Sequence, residues 1–183
     1  GMAKRLLHEA CETYGRQYDL PCAVLVPANL YGPEDHFEEE KSHVIPAIIR
    51  RYVEAQDVGL EQVSNWGSGT PTREFLHVAD AAEAIALAVE KDVECVPINL
   101  GTGIETSIAE LTELIASTVG YNGEVFWDTS KPDGQPKRYL DVSRAKKLLG
   151  FEAQISLAEG IRETVEWYRN NPVQCVADDK QCD

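Results

Sequence analysis

The sequence is short of positive charge, of long apolar runs and of paired cysteines. Seventeen lysines and arginines stand against 31 aspartates and glutamates, a formal net charge of -14. There is no basic excess to displace phosphate counterions, so no broad nucleic-acid binding is expected. A local arginine pair in an acidic protein can still hold a diphosphate. The acidic residues are spread along the chain and read as a solubility feature. No apolar run approaches the ~20 residues of a membrane-spanning helix, so no membrane partner is expected. The N-terminus enters a charged amphipathic pattern at once, unlike a secretory leader. The five cysteines, Cys11, Cys22, Cys95, Cys175 and Cys182, are odd in number and form no CxxC pair. This argues against zinc and against a disulfide framework, and for a reducing, cytoplasmic setting. Also missing is GxGxxG, the phosphate-cradling turn with which nucleotide-binding α/β enzymes usually begin.

What is present is an ordinary globular composition, 43% hydrophobic and 26% charged over 183 residues, enough for one domain with a core. Apolar residues at helical spacing predict a helix over 4–18, and CAVLV (22–26) reads as a buried strand. PANLYGP (27–33) follows as a loop, then SHVIPAIIRRYVEA as a helix with Ser42 as N-cap and Pro46 in its first turn. Strands are expected over 61–66, 73–78, 96–100 and 124–127. A helix is expected after 78, and GSGTP and GTG are turns. Ser107 with Glu110, and Ser156 with Glu159, spell capping boxes before two further helices, the first stopped by Gly120. KPDGQPKR (131–138) is a loop, 143–149 a short helix closed by Gly150, and 171–183 a mobile tail. Strands alternating with helices imply an α/β fold with a largely parallel sheet.

The segments PANLYGP, SHVIPAIIRR, WGSGTPTREFLHVAD, INLGTG and KPDGQPKR run in unbroken order over about residues 2–170. Together they resemble the GDP-L-fucose synthase family of extended short-chain dehydrogenases/reductases. The WGSGTPTREFLHV run recurs with variations across nucleotide-sugar epimerases and dehydratases; SHVIPAIIRR and KPDGQPKR point to the fucose synthase branch. A tyrosine before Gly1 would make YGMAK, the YxxxK motif of these enzymes, with Lys4 as its lysine. The resemblance therefore implies a C-terminal part of such an enzyme. Residues 1–30, with 74–101 returning to them, would be a remnant of the parallel Rossmann sheet of the dinucleotide-binding domain. Residues 31–73 and 102–170 would form a smaller α/β substrate-binding part.

Roles carry over by position. Lys4 resembles the lysine that holds the nicotinamide ribose and lowers the pKa of the catalytic tyrosine, since a nearby ammonium favours phenolate. Pro27, Ala28, Asn29 and Leu30 match the strand end beside the nicotinamide, with Ala28 standing where the family often has threonine. His43 matches a cofactor-contacting residue that also acts as the acid in epimerisation, a sensible donor near neutrality. Arg51, Trp66, Arg73 and Asp133 match substrate-binding positions. The implied substrate is GDP-4-keto-6-deoxy-D-mannose, a GDP-sugar. Its ketone acidifies C3 and C5, so both centres can be inverted before NADPH-dependent reduction at C4. The family's base cysteine and tyrosine have no counterpart here. The chain alone is expected to bind NADP(H) weakly or not at all and to be inactive, and it is expected to form a homo-dimer, otherwise self-associate, or pair with an N-terminal partner chain.

Each of these residues also has a plain structural reading. His43 could cap a helix, Arg51 be an exposed helix arginine, Trp66 a core residue, Arg73 a salt-bridge partner and Asp133 a turn residue. His8, His36 and His77 are read as structural. Two further functions stay open: another nucleotide-sugar epimerase, dehydratase or reductase, and a non-catalytic binding module.

Overall fold

The computed structural model describes residues 2–38, 42–91, 93 and 95–171. The order of elements is α1 (Met2–Tyr18), β1 (Val24–Pro27), β2 (Asn29–Tyr31), α2 (Val44–Asp57), β3 (Gln62–Trp66), β4 (Thr72–Arg73), β5 (Phe75–His77), α3 (Val78–Glu90), β6 (Pro97–Leu100), β7 (Thr106–Ser107), α4 (Ile108–Val119), β8 (Glu124–Asp128) and α5 (Leu157–Asn170). The expected α/β alternation is present. The strands form four pairs rather than one broad sheet: β1–β6, β2–β5 and β3–β8 are parallel and β4–β7 is antiparallel. The tail expected from 171 lies, from residue 172, outside the described residues.

The helices sit where their end signals put them. Both capping boxes form, Ser107 with Glu110 and Ser156 with Glu159, each satisfying two otherwise orphaned N–H groups. Gly120 ends α4 at φ 83, in the left-handed region that a side chain would resist. Three expectations shift. His43, not Ser42, is the N-cap of α2, and it makes no side-chain capping bond. Pro46 does fall in the first turn, where a missing N–H costs little. The PANLYGP segment is not all loop, because Asn29–Tyr31 pairs in parallel with Phe75–His77. The short helix before Gly150 is a single π-helical turn, Ala145–Leu149.

Two apolar cores result. One joins α2, α4 and α5 through Ile45, Ile49, Tyr52, Leu111, Ile115 and Ile161. The other joins β5, β6 and α3 through Leu76, Ala84, Ile98 and Leu100, with Leu149 and Phe151 in the same cluster and Leu25 of β1 packed against it. The segment Thr72–Asp80 runs through both and carries buried carboxylates. Glu74, 1% exposed, accepts from Gly103 N–H through Oε1 (2.7 Å) and from Leu140 N–H through Oε2 (2.8 Å). Its carbonyl accepts from the Asn29 amide at 2.9 Å. Asp80, 2% exposed, accepts from Gln154 and Ile155 N–H, each at 3.1 Å. His77 caps α3 by accepting from Ala79 N–H through Nδ1 (3.4 Å) and sits edge-on to Tyr31.

In contrast, α1 has no buried residue: Leu6, Leu7, Tyr14 and Tyr18 are all exposed. Among the described residues β1 pairs with β6 on one edge alone.

Removing the Glu74 carboxylate strands two backbone donors in the interior. Glu74→Ala is therefore expected to destabilise the chain by about 2–4 kcal/mol in urea unfolding. A loss below about 0.5 kcal/mol, typical of a surface change, would show that the two loops do not depend on it.

Candidate functional site

Strand β3 alternates strictly, with Val63 and Asn65 inward and Gln62, Ser64 and Trp66 outward, as a period of two requires. Trp66 ends the strand with 74% of its surface exposed, which excludes the core reading of this residue. A large aromatic side chain left in water at a strand end is a ready contact surface. Below it lies a cleft of about 220 Å³ lined by Val44, Trp66, Gly69, Pro71, Arg73, Ile108, Pro132, Asp133 and Gly134. Three residues matched from sequence, Trp66, Arg73 and Asp133, thus share one cavity although they lie up to 67 positions apart. Its walls are apolar (Val44, Pro71, Ile108, Pro132), with one guanidinium and one carboxylate, the usual make-up of a small-molecule site.

The loop 131–138 forms one wall because β4 holds it. Thr72 N–H donates to Pro136 O at 2.9 Å, and Arg73 Nη1 donates to Gln135 O at 2.6 Å and to Thr72 O at 2.7 Å. Lys137 pairs with Glu105 at 2.6 Å, and Lys131 lies 6.0 Å from the Trp66 ring centre. The Arg73 Nη2 corner lies against Gly134, where a Cβ would come within 3.2 Å. Asp133 reaches across to the opposite turn. Its Oδ1 accepts from Ser68 N–H (2.8 Å) and its Oδ2 from Ser68 Oγ (2.7 Å). A carboxylate has about four lone-pair sites, so each oxygen keeps one for a ligand. Gly67, at φ 80, is what lets Asp133 come so close: a Cβ there would collide with Oδ1.

The other matched residues lie elsewhere. Arg51 is on α2, seven residues after Val44 and so on the same helix face, about 10 Å further along. It does not line the cleft. His43 is exposed at the N-terminus of α2, next to Val44. Pro27 is exposed at the end of β1 and Leu30 in the middle of β2. Ala28 N–H donates to Leu100 O at 2.8 Å, and the Asn29 side chain turns inward to Glu74. Lys4 is exposed on α1, and no described hydrogen bond or ion pair joins it to the cleft. Asn65, Ser68 and Glu74 had no local sequence signal as site builders. Their partners lie 13 to 66 residues away.

The model of the NAD dependent epimerase/dehydratase family matches residues 1–101. The chain belongs to that family. It is 46% identical over 170 residues to GDP-L-fucose synthase of Escherichia coli K12, a match covering 88% of this chain and 53% of that protein. Its structure superposes with TM-score 0.84 on a GDP-L-fucose synthetase from Naegleria fowleri bound to NADP, at 30% identity, covering 93% of this chain and 55% of that one. A UDP-glucose 4-epimerase from Thermotoga maritima, with UDP-glucose, gives 0.83 at 32% identity, covering 94% and 53%. The chain spans about half the length of the relatives it matches. Among the described residues no helix is long and apolar enough to cross a membrane, and no group of three or more His, Cys, Asp or Glu could hold a metal ion.

The Ser68 bonds hold the Asp133 carboxyl below its ordinary value, the backbone N–H contributing most. A depressed pKa in the folded state adds stability above the unfolded value and loses it as pH falls through the folded one. The wall at 131–138 should therefore stay docked at neutral pH and loosen only in acid below the ordinary carboxylate range. In a carbon-13 carboxyl NMR titration, Ser68→Ala should raise the Asp133 midpoint towards its ordinary value. The variant keeps the backbone N–H, so the rise is partial, and an unmoved midpoint would mean that the Ser68 hydroxyl does not hold the carboxylate.

Proposed function

We propose that this chain is the substrate-binding part of a GDP-L-fucose synthase-like enzyme and grips a GDP-sugar at the cleft under Trp66. The observation that carries the reading is the convergence of Trp66, Arg73 and Asp133 on one partly apolar cavity. About 220 Å³ is less than a drug-sized ligand occupies, so it suits one ring of a nucleotide sugar. The rest extends along α2 towards Arg51, whose planar fork matches diphosphate oxygens. Trp66 stacks on the ring. Asp133 accepts from a base edge or sugar hydroxyls, and guanine offers a pair of N–H donors for a carboxylate. The relation to GDP-L-fucose synthases at 46% identity supports the guanine nucleotide and the 4-keto sugar.

The residues that the resemblance assigns to NADP(H) are exposed, as a cofactor contact requires, except for the half-buried Ala28 and Asn29. Lys4 supplies an exposed ammonium, Pro27 and Leu30 exposed strand positions, and His43 an exposed imidazole. When bound, the nicotinamide supplies hydride for the C4 ketone. His43, at the end of α2 beside Val44, is the proton donor in the epimerisation. The family's base cysteine, tyrosine donor and phosphate-cradling turn have no counterpart among the described residues, and in this reading a second set of residues supplies them. Exposed apolar residues on α1 and the single-partner edge of β1 are the surface for that set or for a second copy, because unpaired strand edges and apolar faces seek cover.

Calorimetry with GDP-, UDP- and dTDP-sugars tests the nucleotide. GDP-sugars should bind most tightly, and Trp66→Ala should cost about 1–3 kcal/mol of that binding. Preference for UDP, the nucleotide of the ligand on the Thermotoga relative, would favour a different nucleotide-sugar enzyme. The isolated chain should show no NADPH-dependent conversion of the keto sugar, and light scattering should show it self-associated. Turnover by the chain alone, or a clean monomer at high concentration, would count against the account.

A further inference from the structure

The carboxamide of Asn65 is held at both ends in the interior of the domain. Arg51 Nη1 donates to its Oδ1 at 3.0 Å, and its Nδ2 donates to the Tyr52 hydroxyl at 2.8 Å. Arginine can only donate, so the amide oxygen must face Arg51 and the NH2 must face the phenol. Asn65 is 3% exposed and Tyr52 is fully buried, with Tyr52 set edge-on to Tyr121 at 5.3 Å. The anchor is therefore rigid. Burial pushes the Tyr52 phenol up, so it remains the neutral partner the amide needs. Arg51 itself is only half-buried, and its Nη2 and Nε have no partner among the described residues. One corner of the guanidinium is thus fixed by Asn65, and the other two nitrogens, with three N–H donors between them, are left for a ligand.

We propose that Asn65 is a positioning residue that fixes the Arg51 guanidinium for the diphosphate of a nucleotide sugar. The inference rests on the reading of the cleft given above and extends it to a residue that does not touch the ligand. Arginine carries a large rotamer entropy, which a ligand must otherwise remove on binding. A buried amide that orders the side chain beforehand removes that cost from the binding step. The same strand sets both contacts: Asn65 points inward to Arg51, and its neighbour Trp66 points outward over the cleft. One strand end therefore aligns the ring contact with the phosphate contact.

The test compares the affinities of the full 183-residue chain for GDP and for guanosine, which lacks the phosphates. Asn65→Leu, similar in size but without an acceptor, should weaken GDP about tenfold and leave guanosine unchanged. Asn65→Asp, which can accept from both Arg51 and Tyr52, should restore GDP binding. The double variant Arg51→Met with Asn65→Leu should bind GDP no more weakly than Arg51→Met alone, because Asn65 acts through Arg51. If Asn65→Leu does not fold, Tyr52→Phe decides, since it frees the amide while keeping the ring. It should weaken GDP alone by about threefold, a smaller effect than losing the acceptor. Parallel losses for GDP and guanosine, multiplicative losses in the double variant, or unchanged GDP binding would each overturn the proposal. A parent chain that does not bind GDP, or an Arg51→Met variant that binds it like the parent, overturns the nucleotide reading and this proposal with it. Normal behaviour of those two with an unaffected Asn65→Leu overturns this proposal alone.

Discussion

The Glu74 carboxylate is buried and, among the described residues, has no ion-pair partner. Both of its oxygens accept backbone N–H groups, one from the turn after β6 and one from the segment after loop 131–138. Its own carbonyl takes the Asn29 amide, which fixes the start of β2. Three stretches far apart in sequence therefore meet at one residue. Burying a carboxyl group is costly, and the two backbone N–H bonds, one to each oxygen, offset that cost. Gly101 is part of the same arrangement, since a Cβ there would run into the carboxylate.

The cleft depends on this anchor through its neighbours in the chain. Arg73 precedes Glu74 and grips the loop at Gln135, while Glu74 holds the same loop's exit at Leu140. Between those points the loop carries Asp133, which clamps Ser68. Trp66 stands just before that turn. A short polar segment thus fixes the positions of the aromatic, cationic and anionic groups by bonds made mostly to backbone. Backbone bonds of this kind hold geometry whatever the surface charge does, which suits a protein with net charge -14.

Helices were legible in the sequence because their signals are local. Capping boxes, a stopping glycine and a 3.6-residue period lie within a few positions of one another, and α4 and α5 form where those signals stand. Short strands were not. β2, β4 and β7 have two or three residues each, too few to show a period, and exist only because a distant partner pairs with them. At α2, Ser42 was the better capping residue by type, yet the helix begins one residue later, after His43. The site divides in the same way. Trp66, Arg73 and Asp133 came from the likeness of whole segments to a family, not from any local rule. Asn65, Ser68 and Glu74 could not be found that way. Nothing near an asparagine in a strand says that it will meet an arginine 14 positions earlier.

The central claim is that the cleft under Trp66 receives one ring of a GDP-sugar, with the diphosphate running towards Arg51. A crystal structure of the chain grown with GDP tests it most directly. The account predicts a ring against Trp66, between Pro71 and Pro132, and phosphate oxygens within hydrogen-bond distance of Arg51 Nη2 or Nε. A nucleotide seated elsewhere, for example in the roughly 260 Å³ hollow between Ile104 and the start of α5, would contradict it.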